Sequence, residues 1–406
     1  MYSDNMELDF TELDFNWLDL PDKIWELILC DLKYRCLLNA SETCKRFNEL
    51  ISMSKRMMTK FSFKIENSLS ELFNKTINDG DKVYQTYFRE LKFMRKCLQT
   101  SKRKYDSIKI RNHYDIFETY SNIDKKYIIN VFFDILKQFA GSVEQITFSD
   151  TSIQNDELTK IIQIMKNLKV LKFVEVCCYG DTVTEVVRPD IVAPMNEIFI
   201  QQVYRFSFQN LYLFDNLTTL DVNENQWNYL NYETFESFLM MQKNLKVLNL
   251  RNLYCLFQTD KLTSNIKFSL DELTLDAVYW TNQLYAMKFF KTQTNLKKLT
   301  LDLDHSWGIE YQELLIHLFG NNLQLKTVVF PTNSAYYKYI MTDFSFLEGI
   351  VNSSVENIQI DLVSLLNATA FITACNKLFP KVKFNYVNQS YSTFLKTRGL
   401  TIEEES

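Results

Sequence analysis

The sequence predicts an α/β solenoid: a curved parallel sheet with helices on its outer side, preceded by a small three-helix unit. Three observations predict it. An apolar triplet spaced L-x-x-L-x-L recurs along most of the 406 residues. Amphipathic stretches fill the intervals between triplets. Residues 18–54 carry a separate, compact helical pattern.

The triplets set the architecture. The clearest are Leu168–Leu171–Phe173 and Leu245–Leu248–Leu250, whose flanks nearly repeat as KNLKVLKF and KNLKVLNL. The spacing returns at Val143–Ile146–Phe148, Leu217–Leu220–Val222, Leu270–Leu273–Leu275, Leu296–Leu299–Leu301, Leu325–Val328–Phe330, Val355–Ile358–Ile360 and Phe379–Val382–Phe384. Weaker copies lie at Tyr105–Ile108–Ile110 and Met195–Ile198–Ile200, and a candidate first copy at Met58–Phe61–Phe63. After a first step of 38, successive triplets begin 22 to 30 residues apart. Repeats of about 20–29 residues are a signature of solenoids. The last two apolar residues of each triplet alternate, so both point to one face of a short strand. One repeat cannot bury that face, but a stack of repeats can.

Helices are expected between the strands. Residues 127–140 and 309–319 are amphipathic and run up to Gly141 and Gly320, which would end them; 281–292 and 367–378 read similarly. Strand–helix alternation implies parallel strands. A doubly wound nucleotide-binding fold alternates in the same way. The seven glycines, however, are too scattered to build G-x-G-x-x-G, a Walker loop or a G-x-S-x-G elbow.

Composition excludes further classes. The eight cysteines show no C-x-x-C, and there are three histidines, so neither a zinc site nor a disulfide framework is expected. Cys177-Cys178 lacks a histidine nearby in sequence, and no catalytic residue is assigned. No cofactor and no metal are expected. The acidic start lacks the pattern of a secretory signal, and no apolar run approaches the ~18 residues of a membrane span. A cytoplasmic or nuclear location is therefore expected. Residues 1–22 hold seven acids and no base, residues 23–126 carry a net +9 and residues 127–406 a net −7. The overall charge of −5 does not favour nucleic acid.

The repeats resemble leucine-rich repeats of the irregular kind found in F-box proteins. The Asn or Cys that usually follows each triplet is mostly missing here. The stretch from Leu18 to Ser52 is similar to the F-box itself. Leu20-Pro21, Ile24, Ile28, Leu32, Leu37-Leu38 and Cys44-Lys45-Arg46-Phe47 match its pattern in order and spacing, with Phe47 where the family often has tryptophan. Leu27 shares the apolar face of Ile24 and Ile28. The resemblance implies binding of a Skp1-type linker, and through it a cullin–RING ubiquitin ligase. Leu20, Pro21, Ile24, Ile28, Leu32, Leu37, Leu38, Cys44 and Phe47 would form the linker-binding surface or its support. The role implied is that of a non-catalytic substrate adaptor; a repeat scaffold acting outside any ligase stays open.

The expected organisation is an acidic flexible tail (1–17), the F-box (18–54), a helical linker or irregular first repeat (55–104), the solenoid (105–388) and a C-terminal tail (389–406). A client protein would meet the concave face, where the polar positions of the strands point. Acids gather mid-arc at Asp221, Glu224, Glu272, Asp276, Asp302 and Asp304. Asp221, Asn223, Asn249, Arg251, Glu272, Asp276 and Asp302 are the candidate client-binding residues, with a basic client segment expected.

Overall fold

The computed structural model describes residues 20–58, 61–66, 80–101, 105–111, 122–180, 192–224, 231–253, 256–257, 259–260, 262, 266–276, 278, 282–301, 309–330, 350, 354–360, 373, 376–379 and 381–386. Both expected tails lie outside these residues, as do Asp302 and Asp304 and most of the helix expected over 367–378.

Among the described residues twelve strands form one sheet whose spatial order is the order of the sequence. They are β1 (Ser62–Glu66), β2 (Ser107–Arg111), β3 (Gln145–Gln154), β4 (Val170–Tyr179), β5 (Glu197–Tyr204) and β6 (Thr219–Asn223). They continue as β7 (Val247–Arg251), β8 (Glu272–Asp276), β9 (Lys298–Leu301), β10 (Thr327–Phe330), β11 (Asn357–Ile360) and β12 (Lys383–Tyr386). Every neighbouring pair is parallel. Parallel neighbours need a crossover between them. The N-terminal unit holds α1 (Asp22–Cys30), α2 (Tyr34–Thr43), α3 (Lys45–Met53) and α4 (Lys55–Met58), and the crossovers include helices α5 (Gly80–Thr100), α6 (Asn122–Gln138), α7 (Asn155–Ile164), α8 (Tyr232–Met241), α9 (Gln283–Thr292) and α10 (Ile309–Asn321). The arrangement is compatible with a solenoid. Among the described residues no helix is long and apolar enough to cross a membrane.

The triplets fall in register from β2 to β11. Leu171 faces Ile146 and Ile198, and Leu248 faces Leu220 and Leu273. These inward side chains are buried to within a few per cent and form one continuous core. Burying each is worth about 1.5–3 kcal/mol. A run of rings threads the middle: Phe148 stacks on Phe173, which meets Phe206, then Phe208, then Phe235 of α8, with centroids 4.8–5.4 Å apart.

The two ends depart from the expected phase. Phe63 pairs with Ile108 and Ile65 with Ile110, so the inward pair of β1 is Phe63 and Ile65, not Phe61 and Phe63. At the far end Ile358 pairs with Phe384 and Ile360 with Tyr386, in place of Val382 and Phe384. Apolar residues recur every second position there, and a period of two cannot distinguish phases two residues apart. β1 lies within the stretch expected as a linker or irregular first repeat.

Two glycines also act differently from expectation. α6 stops at Gln138, and the chain leaves it through tight turns, Phe139 N–H to Leu136 O (3.0 Å) and Ser142 N–H to Phe139 O (3.0 Å), before Gly141 can cap anything. α10 continues through Gly320 to Asn321. There the last carbonyls are taken by side-chain amides: Asn322 Nδ2 donates to Leu318 O (2.9 Å) and Asn321 Nδ2 to His317 O (2.9 Å).

Those amides belong to a recurring device. Gln242, Gln293 and Asn322 are fully buried, and each stands three residues before a triplet. Each accepts the N–H that opens the preceding triplet: Leu217 N to Gln242 (3.1 Å), Leu270 N to Gln293 (2.9 Å) and Leu296 N to Asn322 (3.2 Å). Gln242 also donates to Phe214 O and Phe238 O. Buried backbone groups need partners, and these side chains supply them between repeats.

We expect Gln242→Leu to destabilise the chain by about 2–4 kcal/mol, because three backbone groups lose their partner in a dry site. Urea denaturation of the full chain measures this. The exposed neighbour change Lys243→Ala should shift stability by less than about 0.5 kcal/mol.

Candidate functional site

The first candidate surface is on the N-terminal helices α1 (Asp22–Cys30), α2 (Tyr34–Thr43), α3 (Lys45–Met53) and the single turn α4 (Lys55–Met58). Pro21 stands just before α1, where its missing N–H costs nothing, and its carbonyl accepts from Ile24 N (2.9 Å). Cys44 caps α3 by accepting the Phe47 N–H on its sulfur (3.4 Å). Arg46 fastens α3 to the start of α1, donating to Asp22 (2.6 Å) and to Leu20 O (2.7 Å). A separate core of Leu29, Cys30, Leu37, Ile51, Met57 and Phe61 holds the helices together.

The nine candidate linker residues divide by burial. Leu37 is fully buried and supports the unit from within. Leu32, Leu38 and Phe47 are half-buried against the same core, and Leu20 and Cys44 are half-buried. Pro21, Ile24 and Ile28 are exposed. With Leu27 they make an apolar stripe: Ile24 and Ile28 are each 41% exposed and Leu27 is 58% exposed. Leu27 is absent from the expected set although its i, i+3, i+4 spacing marked it. Trp25 was missed too. It packs on Phe47 with ring centroids 4.6 Å apart.

This unit touches the sheet at its first strands. Ser107 Oγ donates to Phe61 O (3.4 Å), and Tyr105 packs against both cores. Phe63, Tyr105 and Phe139 form a ring cluster at the junction.

The second candidate surface is the face of the sheet turned away from the core. Its middle column runs in register from Lys64 through Lys109, Thr147, Lys172, Phe199, Asp221, Asn249, Thr274, Thr300, Val329 and Gln359 to Asn385. Lys383, expected in this column, stands two residues earlier, opposite Asn357, because of the shifted register of β12. The strands β6, β7 and β8 bring Asp221, Asn223, Asn249, Arg251, Glu272 and Asp276 together, but largely as partners of one another. Arg251 donates to Asp221 (3.1 and 3.3 Å), as does Asn249 (3.0 Å). Asn252 donates to Asn223 (2.9 Å), and Lys298 lies 3.4 Å from Glu272. Much of the mid-face acidity is therefore matched within the face.

Five titrating groups among the described residues depart from ordinary behaviour without forming a site; one is Glu175, raised by its hydrogen bond to Asp150 and by that neighbour's charge. Burial pushes the Cys178 thiol far up, which makes it a poor nucleophile. Burial and the nearby Lys291 push His317 down. Burial raises Glu157 to about 7, with a further push from Asp156, and raises Glu224 to about 7. Glu157 lines a small cavity with Thr151 and Ser152, and Glu224 is not among the residues around it. Among the described residues no three His, Cys, Asp or Glu side chains are placed to share a metal.

The family model for the F-box domain matches residues 17–58. That span contains α1–α4 with the apolar stripe. No curated protein matches the chain.

The two buried glutamates make stability fall as pH rises. Their folded values lie above the unfolded value of 4.5, so the native state holds extra protons between pH 4.5 and about 7. The stabilisation is present below pH 4.5 and is lost as pH climbs through 7. We expect Glu157→Gln and Glu224→Gln each to reduce the loss between pH 5 and pH 8 by about 1–3 kcal/mol, measured as urea midpoints against wild type.

Proposed function

We propose that this chain is the substrate-recognition adaptor of an SCF-type ubiquitin ligase. Its F-box binds a Skp1-type linker, and its strand–helix units are leucine-rich repeats that hold a client protein. The F-box match over residues 17–58 carries the reading. The exposed stripe on α1 supports it, because three large apolar side chains one helical turn apart make a face suited to burial against a partner. The folded unit beneath the stripe has its own core, so these residues are not needed to close it.

The mechanism is positioning. The α1 stripe engages the linker, and the linker connects to the enzyme that transfers ubiquitin. The open face binds the client, which raises the client's local concentration beside that enzyme. No group of this chain takes part in bond making. The packing of Phe61, Phe63 and Tyr105 between helices and first strands fixes the distance between the two surfaces. A fixed distance serves an adaptor, since a loose joint would dilute the client over a larger volume.

The test uses purified full chain and a Skp1-type linker. We expect co-elution on size exclusion, and roughly a hundredfold loss of affinity for Leu27→Glu combined with Ile24→Glu, each placing a charge in an apolar contact. Both sites face solvent, so the melting temperature should hold. Absence of any complex with the intact chain refutes the ligase role and leaves the repeat scaffold.

A further inference from the structure

The open face changes character along its length. In β6–β9 opposite charges meet across strands, as in Asp221 with Arg251 and Glu272 with Lys298. Between β1 and β2 one pair of like charges meets. Lys64 stands directly opposite Lys109 on neighbouring parallel strands, and Lys172 follows two strands on, in the same column. Directly opposed like charges destabilise a sheet. Among the described residues no hydrogen bond or ion pair relieves Lys64 or Lys109. Arg111, one position further along, is by contrast paired with Asp150 (3.1 Å). Among the described residues Lys172 reaches the ring of Phe199, at 4.8 Å from its centroid. The column thus ends at a half-buried aromatic, with Val174 beside it.

The same region is where the sheet is widest. β3, β4 and β5 run to ten, ten and eight residues. They pass through a shared kink at Asp150, Glu175 and Gln202, all at positive φ, after which the pairing resumes at Thr151 with Val176 and Val203. Non-glycine residues adopt this region at a cost. Repeating it in three neighbouring strands keeps the ladder intact and lengthens the face beside the lysines.

We propose that β1–β5 hold the client, and that the segment recognised is a short acidic stretch with an apolar residue at one end. This rests on the adaptor reading above. The acids would neutralise the Lys64–Lys109–Lys172 column, and the apolar side chain would lie on Phe199 and Val174. Three strand steps of about 4.8 Å span about 14 Å, the length of roughly four extended residues. Carboxylates of Asp150 and Glu175 border the column on one side, which disfavours a long polyanion such as nucleic acid and fits a short peptide.

Fluorescence anisotropy with the full chain tests this, using the labelled peptide Glu-Phe-Asp-Glu-Leu and its lysine counterpart Lys-Phe-Lys-Lys-Leu. The acidic peptide should bind, weaken with salt, and lose roughly tenfold in affinity to Lys109→Glu combined with Lys172→Glu. The same double variant should melt at an equal or higher temperature, because it removes the Lys64–Lys109 repulsion; a structural role would lower it. Linker co-elution, read in parallel, should be unchanged, so that failure here is distinct from failure of the F-box. Equal binding of both peptides, or acidic binding untouched by the double variant, overturns the proposal. So does tighter binding of oligothymidine at the same lysines. Binding seen only after deletion of residues 1–19 would assign the face to the chain's own acidic segment and also overturn it.

Discussion

Parallel pairing between successive strands is the interaction on which everything else here depends. A strand of four or five residues has no stability alone, and its two inward side chains cannot exclude water without a neighbour on each side. Each repeat therefore borrows its core from the next. Leu248 is buried because Leu220 and Leu273 flank it in register. The backbone obeys the same rule. Lys246 N–H and Val247 N–H both reach Thr218 O, and Asp271 N–H and Glu272 N–H both reach Lys246 O. Side-chain amides extend the rule to the turns, where Gln242, Gln293 and Asn322 reach back one repeat to an otherwise unpartnered N–H.

A stack of this kind has two exposed ends, and ends are costly because an open strand edge invites foreign pairing. At the first end the N-terminal helices lie against β1 and β2 through Phe61, Tyr105 and the Ser107 hydrogen bond. The helical unit so serves the sheet as well as any partner of its own. Its internal core is small, and contact with the sheet adds apolar burial that a unit of this size needs.

Sequence spacing reveals the middle of the sheet well and its ends poorly. Between Ile108 and Ile360 the triplet phases equal the observed register. At β1 and β12 the alternation runs on past the triplet, so Phe61 and Val382 read like inward strand positions although each precedes its strand. The buried amides were invisible for a different reason. Gln242, Gln293 and Asn322 are polar residues in helix–strand turns, a place where polar residues need no explanation. On the N-terminal unit, spacing found the stripe of α1 but could not separate Leu37, which supports, from Leu27, which protrudes. Both are leucines on amphipathic helices, and only tertiary packing distinguishes them.

The charges on the open face are partly matched by one another. Asp221 carries the same formal charge wherever it sits, but with Arg251 at 3.1 Å and Asn249 at 3.0 Å its field beyond the face is largely cancelled. A residue's value to a partner is the charge left over after its neighbours are counted. Across strands that remainder depends on register: opposed unlike charges stabilise the sheet and have little to offer outside it, while opposed like charges cost stability and keep their field. Lys64 against Lys109 is of the second kind. A stretch of sheet that bears such a cost next to strands with matched charges is weaker as a scaffold and stronger as a binding surface.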